Sequence, residues 1–415
     1  MDTWAWPFRA DRLCEGLVER DVPALGRGFA VVSRSWASAL GVAALAASCL
    51  SGCGGAPGAE GPAATQPPGS AERVCVPSAC VSLSRLAHSI DTQLRGKAVG
   101  YVALVGRSHV VASGLARTAA DAPKLAMGPD VMVNVASVGK MFTTIAALKS
   151  LARHHLSIDS RISPFLPPDW VKGPGVDTIT FRELLTHRAG FRLDSGLVFT
   201  TDNAAKEQVR HGIDQVNKQV ADYNNFNFTI FRDILPLMEG VPDPGPAARA
   251  AAADRFFNTY VQGQVFDPAG VTGATCAPVR DAMLMYLPPF SGTAPGSPAS
   301  VGPSALLGGG WFMTPASMLR VLDGLISDRL LSGSQREQMD DNCLGWDCSV
   351  AGQAGYRGKY GGCCGGSAGL QVFFGILAGT IPVVIATTSN GPPPLQAVVQ
   401  TALRAATSPA NRNAA

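Results

Sequence analysis

Two residues that could form a catalytic pair, Ser137 and Lys140, stand three positions apart in the stretch NVASVGKMFTTIAALK. A serine hydroxyl is a weak nucleophile at neutral pH and needs a base within hydrogen-bonding reach. Residues at i and i+3 of a helix share one face, with Cβ atoms about 5–6 Å apart. A helix N-terminus would stabilise developing negative charge, and burial would lower the pKa of the lysine. The pair therefore predicts acyl transfer through a serine, although a surface helix can also carry these two residues by chance.

Two further motifs follow this pair along the chain. Tyr-Asn-Asn occupies positions 223–225, and Lys-Tyr-Gly occupies positions 359–361. Ser-x-x-Lys, Tyr-x-Asn and Lys-x-Gly in this order resemble the serine β-lactamase and penicillin-binding-protein superfamily. The similarity is to its class C β-lactamase branch, with D-alanyl-D-alanine carboxypeptidases and related esterases. The segments FRELLTHRAGF, VFDPAGVTGAT and LLGGGWFMTPASMLRVL resemble the same branch, so the motifs together span about residues 83 to 405.

The resemblance implies a role for each matching residue. Ser137 would be the acylated nucleophile, and Lys140 would be its partner in proton transfer. Tyr223 would be a second proton shuttle, with its phenol activated by Lys140 and Lys359. Asn225 would bind the substrate amide or position Lys140.

The last motif and the residue that follows it would form the substrate-binding edge. Lys359 would place positive charge beside a substrate carboxylate, and Gly361 and Gly362 would line the substrate. The resemblance also implies an oxyanion hole, made by the backbone N–H groups of Ser137 and Gly362.

Three features near these motifs bear on the site. Tyr360 stands where the family commonly has a small residue, and it would crowd a β-lactam if it faced the cleft. Cys363 and Cys364 follow the motif directly, and a disulfide from either could fix or distort the strand. In this family the position of His187, in LTHRAG, is structural, so we do not expect it to be catalytic.

The elements that must position these residues come from both ends of the domain. Apolar spacing predicts a helix over 82–95, and two apolar runs around a Gly-Arg-Ser turn predict a β-hairpin over 98–114. Residues 369–391 predict another strand pair, and 395–406 a closing helix. The expected fold is of the α/β (α+β) class and β-lactamase/transpeptidase-like. It has a helix-flanked antiparallel sheet built from both chain ends, plus a helical lobe.

Helices are predicted between these ends. Thr180 and Glu183 have the spacing of a capping box, which indicates a short helix beginning there. Residues 227–240 look helical but interrupted by Pro236. The helix that carries Lys140 has an apolar stripe formed by Met141, Ile145, Leu148 and Ala152. This stripe predicts that the helix is the central, buried helix of the helical lobe.

The N-terminal region has the pattern of an export signal. An apolar run from Ala37 to Leu50 is too short to span a bilayer and fits the core of a signal peptide. Leu-Ser-Gly-Cys at 50–53 resembles a bacterial lipobox, which predicts that Cys53 is lipidated. An ordinary signal peptide or a buried helix are the alternatives. Some 35 residues precede the apolar run, so the true start could lie near residue 31 or 32.

Composition shifts divide the chain into four parts. We predict a signal peptide with lipobox over 1–53, a flexible tether over 54–81, a hydrolase domain over 82–407 and a tail over 408–415. Among the seven cysteines after Cys53, the closely spaced pairs 75/80 and 343/348 could each close a small loop.

The net charge and the cysteine spacing indicate which classes of binding partner to expect. The 415 residues carry a net charge of +3 and scattered basic residues, so no nucleic acid is expected. No cofactor or metal is implied, because the four-residue gaps between cysteines are wide for zinc and lack a histidine pair. The expected partners are a small-molecule, peptide or ester substrate and a membrane reached through the lipid anchor, with the protein a monomer.

The chemistry leaves the substrate open. A β-lactam, a peptidoglycan peptide and a carboxylester are all compatible with an exported hydrolase that works through an acyl-enzyme in the periplasm or at the cell surface. The alternative from another class is a non-catalytic envelope protein that keeps the fold for binding.

Overall fold

The computed structural model describes residues 72–409, except 77–78, 192–201, 278, 288–292, 294, 300–309, 349–355, 364–368, 390 and 392. The strands are β1 Arg73–Val76, β2 Ala79–Ser82, β3 Gly100–Val105, β4 His109–Arg117, β5 Leu125–Ala126, β6 Val133–Asn134, β7 Leu284–Met285, β8 Ser297–Pro298, β9 Phe312–Met313, β10 Arg357–Cys363, β11 Leu370–Leu377, β12 Ile381–Thr387 and β13 Thr407–Pro409. The α-helices are α1 Leu83–Leu94, α2 Gly139–Arg153, α3 Phe181–Leu185, α4 Asp202–His211, α5 Phe226–Thr229, α6 Phe231–Met238, α7 Pro246–Val261, α8 Asp267–Ala269, α9 Pro315–Ile326, α10 Gly333–Asp341 and α11 Leu395–Ala406.

The main sheet joins the two ends of the domain, as predicted. Its antiparallel order is β10-β11-β12-β3-β4-β5. The central pair is β12 and β3, where Ile385 lies opposite Ala103. β11 and β12 are buried along their whole length because both faces of the sheet are covered. The predicted fold class is therefore confirmed.

Two hydrophobic clusters lie on the two faces of the sheet. Helices α1 and α11 pack on one face through residues such as Leu86, Ile90 and Val399. The larger cluster lies on the other face and extends into the helical lobe, where it includes Phe142 and Phe266. α2 is buried nearly all round, which makes it the central helix of that lobe.

The N-terminal hairpin begins earlier than the sequence predicts. β1 and β2 pair across a Cys75–Cys80 disulfide, and β2 also pairs with β13. The predicted tether over 54–81 is therefore wrong for residues 73–76 and 79–81, because these residues form strands that a disulfide and a three-stranded ladder hold together. The predicted tail likewise starts too early, since β13 includes residues 408 and 409.

Of two local predictions about helices, one is confirmed and one is wrong. The capping box at Thr180 and Glu183 forms at the start of α3. The helical run predicted over 227–240 divides at Ile230, between α5 and α6, and α6 continues past Pro236 to Met238. Most side chains of α6 are buried, and their packing outweighs the one backbone hydrogen bond that a proline removes.

The apolar stripe predicted on α2 fails at one position. Ala152 is exposed, whereas Met141, Ile145 and Leu148 are buried. Within the described residues, no helix combines the length and the apolar character needed to cross a membrane.

Candidate active site

The turn that carries Ser137 is strained and held by hydrogen bonds. Ala136, the residue before it, has a φ of 46°, which a non-glycine residue adopts at a cost of roughly 1–3 kcal/mol. The side-chain oxygen of Asn134 accepts the Ala136 N–H at 2.8 Å, and Val135 N–H donates to the Trp311 carbonyl at 2.9 Å. A single 3₁₀ turn over 136–138 then leads into α2. This bend presents Ser137 at the N-terminus of the buried helix.

The structure brings the predicted catalytic residues together. Ser137 Oγ lies 2.6 Å from the Tyr223 hydroxyl, although the two residues are 86 positions apart. Lys140 Nζ donates to Ser137 Oγ at 3.3 Å and to Asn225 Oδ1 at 2.8 Å. Of the two roles that the resemblance implies for Asn225, this geometry corresponds to positioning Lys140.

Lys140 is fully buried, with 0% of its surface exposed. Burial lowers its pKa well below 10.5, and the nearby charge of Lys359 lowers the pKa further. A lysine whose pKa is lowered in this way gives up its proton more readily than a solvated lysine, which favours its action as a base. Because its Nζ already contacts the Ser137 hydroxyl, it has both the position and the chemistry to accept that proton.

Tyr223 differs from the expectation of an activated phenol. Its residue surface is 37% exposed, but its hydroxyl meets Ser137 inside the cleft. The loss of solvent around that hydroxyl raises its pKa, the Ser137 hydrogen bond lowers it, and the negative charge of Asp347 raises it further. Tyr223 therefore keeps its proton at neutral pH, so it is arranged to donate a proton rather than to act as a phenolate.

His187 is in contact with the ring of Tyr223. Its ring packs on Tyr223 with centroids 4.4 Å apart, and its Nδ1 lies 3.1 Å from the Asn224 carbonyl oxygen. Burial lowers the pKa of His187 well below 6.5, and the charges of Lys359 and Lys140 lower it further, so the ring is neutral. His187 contacts the back of Tyr223, which fits the structural role expected for this position.

Strand β10 forms the opposite wall of the site. A Cβ placed on Gly361 would lie 2.7 Å from the Val135 carbonyl oxygen and 3.2 Å from Ser137 N. Only glycine lets the strand approach the nucleophile so closely. Tyr360 N–H points to the free edge of the sheet, where it donates to Asp347 at 2.7 Å. By the two-residue alternation of a strand, Gly362 N–H points to the same edge, as an oxyanion hole with Ser137 N–H requires.

Tyr360 lies on the other face of β10, so its side chain does not crowd the cleft. It packs against the cluster around α1 and α11, and its hydroxyl donates to Gln371 at 3.0 Å. Of the two cysteines that follow the motif, Cys364 lies outside the described residues.

Sequence reasoning missed Asp347. This carboxylate pairs with Lys359, whose Nζ lies 2.6 Å from Asp347 Oδ1 and whose surface is 1% exposed. Lys359 is therefore not the open cation that the resemblance implies beside a substrate carboxylate. The two partners are 12 residues apart, and this separation fits neither helix nor strand periodicity. The sequence signal near Asp347 was the Cys343/Cys348 pair that encloses it, and these two cysteines do form a disulfide.

Metal ligands do not gather near these residues. In the part of the chain that the structure describes, there is no group of three or more His, Cys, Asp or Glu side chains that could hold a metal ion.

Comparison with known proteins identifies the family of this chain. The family model described as Beta-lactamase matches residues 87–407, and the chain belongs to that family. A search of curated proteins found no match.

Solved structures with the same fold include relatives of differing activity. A β-lactamase/D-alanine carboxypeptidase from Pseudomonas syringae superposes with a TM-score of 0.59 at 14% identity, over 78% of this chain and 98% of that chain. A class C β-lactamase from Rhodobacter sphaeroides has a TM-score of 0.57 at 15% identity, covering 77% and 98%. A D-amino acid amidase from Ochrobactrum anthropi, solved with L-phenylalanine amide, has a TM-score of 0.56 at 16% identity, covering 78% and 97%. At these identities the likeness establishes the fold alone.

Proposed function

We propose that this protein is an exported serine hydrolase that forms an acyl-enzyme on an amide, lactam or ester carbonyl. The observation that carries the proposal is the contact network among Ser137, Tyr223, Lys140 and Asn225, built from motifs far apart in sequence. The fold shared with β-lactamases, a carboxypeptidase and an amidase supports the same reaction class.

The reaction would proceed in two acyl transfers. Ser137 Oγ attacks the carbonyl carbon, and its proton passes to Lys140. The oxyanion rests on the N–H groups of Ser137 and Gly362. The bond to the leaving group breaks, the leaving group takes the proton of Tyr223, and the proton held by Lys140 returns to the tyrosine.

Hydrolysis of the acyl-enzyme would use Lys140 as the base a second time. A water molecule gives a proton to Lys140 as its oxygen attacks the ester carbon. The bond to Ser137 Oγ breaks, and the proton held by Lys140 returns to the serine.

A fluorophosphonate probe tests the nucleophile directly, because an activated serine displaces its fluoride and forms a stable O–P bond. We expect one adduct per folded chain, mapped by mass spectrometry to the peptide that contains Ser137. Ser137→Ala and heat-unfolded wild-type protein are the controls, and neither should be labelled. Folded wild-type protein without the adduct would favour the non-catalytic binding protein instead.

The location of the protein is part of the proposal. Cys53 lies outside the described residues, and the lipobox-like sequence before it supports lipidation in the periplasm or at the cell surface. We expect cells that express the chain to incorporate palmitate into it, and Cys53→Ala to abolish the incorporation. Labelling that persists in Cys53→Ala would contradict the anchor without touching the hydrolase proposal.

A further inference from the structure

Asp347 binds the edge of β10 through three hydrogen bonds. Its Oδ1 accepts from Lys359 Nζ at 2.6 Å, and its Oδ2 accepts from Tyr360 N–H at 2.7 Å. Its own N–H donates to the Gly358 carbonyl oxygen at 2.9 Å. Both carboxylate oxygens are therefore directed at the strand that forms one wall of the site.

The loop before this strand is built to hold Asp347 in place. A disulfide between Cys343 and Cys348 closes the loop around it. Gly345 has a φ of 76° and lies so close to α2 that a Cβ there would clash with Thr144 Oγ1. Its N–H also donates to the Leu185 carbonyl oxygen at 2.9 Å. A covalent ring and tight packing on the nucleophile-bearing helix thus fix the carboxylate.

This placement changes the charge that a substrate meets. Lys359 is buried and neutralised by Asp347, which keeps 22% of its side-chain surface exposed. Lys140 Nζ is held by Asn225 and Ser137. A substrate carboxylate that approached Lys359 would come within a few ångströms of the Asp347 carboxylate, and such like-charge contact lowers binding by roughly tenfold or more.

We propose that Asp347 is a specificity-determining residue that makes the site select acyl donors whose leaving group carries no carboxylate. This inference rests on the proposed hydrolase function and names its substrate class: neutral esters and amides. Substrates whose leaving group ends in a free carboxylate, as in a peptide cleaved at its C-terminal residue, would be disfavoured.

A matched pair of thioesters tests this selection. Both carry the same benzoylglycyl acyl group, one with thioglycolate and the other with thioglycolamide as leaving group, and dividing each enzymatic rate by the rate of uncatalysed hydrolysis removes the accompanying difference in thiol acidity, so that the charge is what is compared. We expect the wild-type kcat/KM, measured by thiol release, to be at least tenfold higher for the thioglycolamide ester. Equal rates, or a preference for the thioglycolate ester, would contradict the inference without any variant.

Three variants separate charge from packing. Asp347→Asn should shift the ratio of the two kcat/KM values toward the thioglycolate ester by tenfold or more, because Lys359 gains an unpaired charge. Asp347→Glu keeps the charge and should keep the wild-type preference. Asp341→Asn removes the same charge from an exposed position in the same segment, and it should leave the ratio unchanged.

The inference and the proposed function fail in different ways. If the thioglycolamide ester is cleaved faster by the wild type than by Ser137→Ala, but Asp347→Asn leaves the ratio unchanged, the hydrolase stands and the role of Asp347 is wrong. If neither thioester is cleaved faster than by Ser137→Ala, the proposed hydrolase function fails for acyl donors of this kind, and the inference fails with it.

Discussion

Replacing Lys140 with methionine should lower kcat/KM by roughly 10²–10⁴-fold, the usual contribution of a general base. The variant removes the amine that contacts Ser137 Oγ and leaves the hydroxyl without a group to take its proton. The dependence on pH should change as well. Wild-type activity should rise as Lys140 loses its proton, over a range well below 10.5, and this limb should be absent from Lys140→Met.

The same variant should not lose stability. A buried charge is costly, and replacing buried ionic groups by apolar ones of similar volume is often neutral or stabilising by about 1–4 kcal/mol. Because the native pKa of Lys140 is lowered, the unfolded chain binds more protons than the native one between that pKa and 10.5. Wild-type stability therefore gains from this residue as pH rises through that window. The advantage of Lys140→Met should be greatest below it and shrink toward 10.5.

Lys149→Met on the same helix is the matched control. Lys149 is half-buried and donates to the Gln264 carbonyl at 2.8 Å, away from Ser137. The Lys149→Met variant should keep the wild-type kcat/KM, measured by hydrolysis of a neutral ester. Urea unfolding gives the free energy of unfolding of both variants. An active Lys140→Met, or one that loses activity only because it unfolds, would contradict the assignment of Lys140 as the base.

The residues that sequence reasoning could find are those whose chemistry appears in short motifs. Ser137 and Lys140 share one turn of helix, and Tyr223 and Asn225 share one loop, so each pair can be recognised locally. That the two pairs come together in one site was predicted from the order of the motifs in the family, and secondary-structure propensity could not have predicted it. The burial of Lys140 also follows from sequence, because most of the residues that follow it in the helix are apolar.

The residues that sequence reasoning missed act through tertiary contacts. Asp347 has no periodic relation to Lys359, and its role depends on a disulfide-closed loop that packs on α2. The positive φ of Ala136, whose N–H donates to the Asn134 side chain, is likewise not a conformation that alanine prefers. Tyr223 shows the consequence of tertiary contacts, since a phenol expected to be activated by two lysines instead has a pKa raised chiefly by burial, with a further contribution from the charge of Asp347.

Replacing Gly361 with alanine should lower kcat/KM by roughly 10²–10³-fold, the usual cost of losing one oxyanion donor. The new Cβ would lie 2.7 Å from the Val135 carbonyl oxygen and 3.2 Å from Ser137 N, so β10 must move away from the turn. That movement separates the N–H groups of Ser137 and Gly362, which must converge on one oxygen. Overpacking should also lower the free energy of unfolding by about 1–3 kcal/mol.

Gly375→Ala, in the neighbouring strand, separates these two effects. Its Cβ would meet the Arg357 carbonyl oxygen at 2.6 Å and the Phe373 ring at 2.7 Å, so the crowding is similar but lies away from Ser137. Both variants should lose stability by urea unfolding, and only Gly361→Ala should lose kcat/KM at temperatures where both are folded. Equal activity in the two variants would mean that the close approach of β10 to the nucleophile serves packing, and that the oxyanion is stabilised elsewhere.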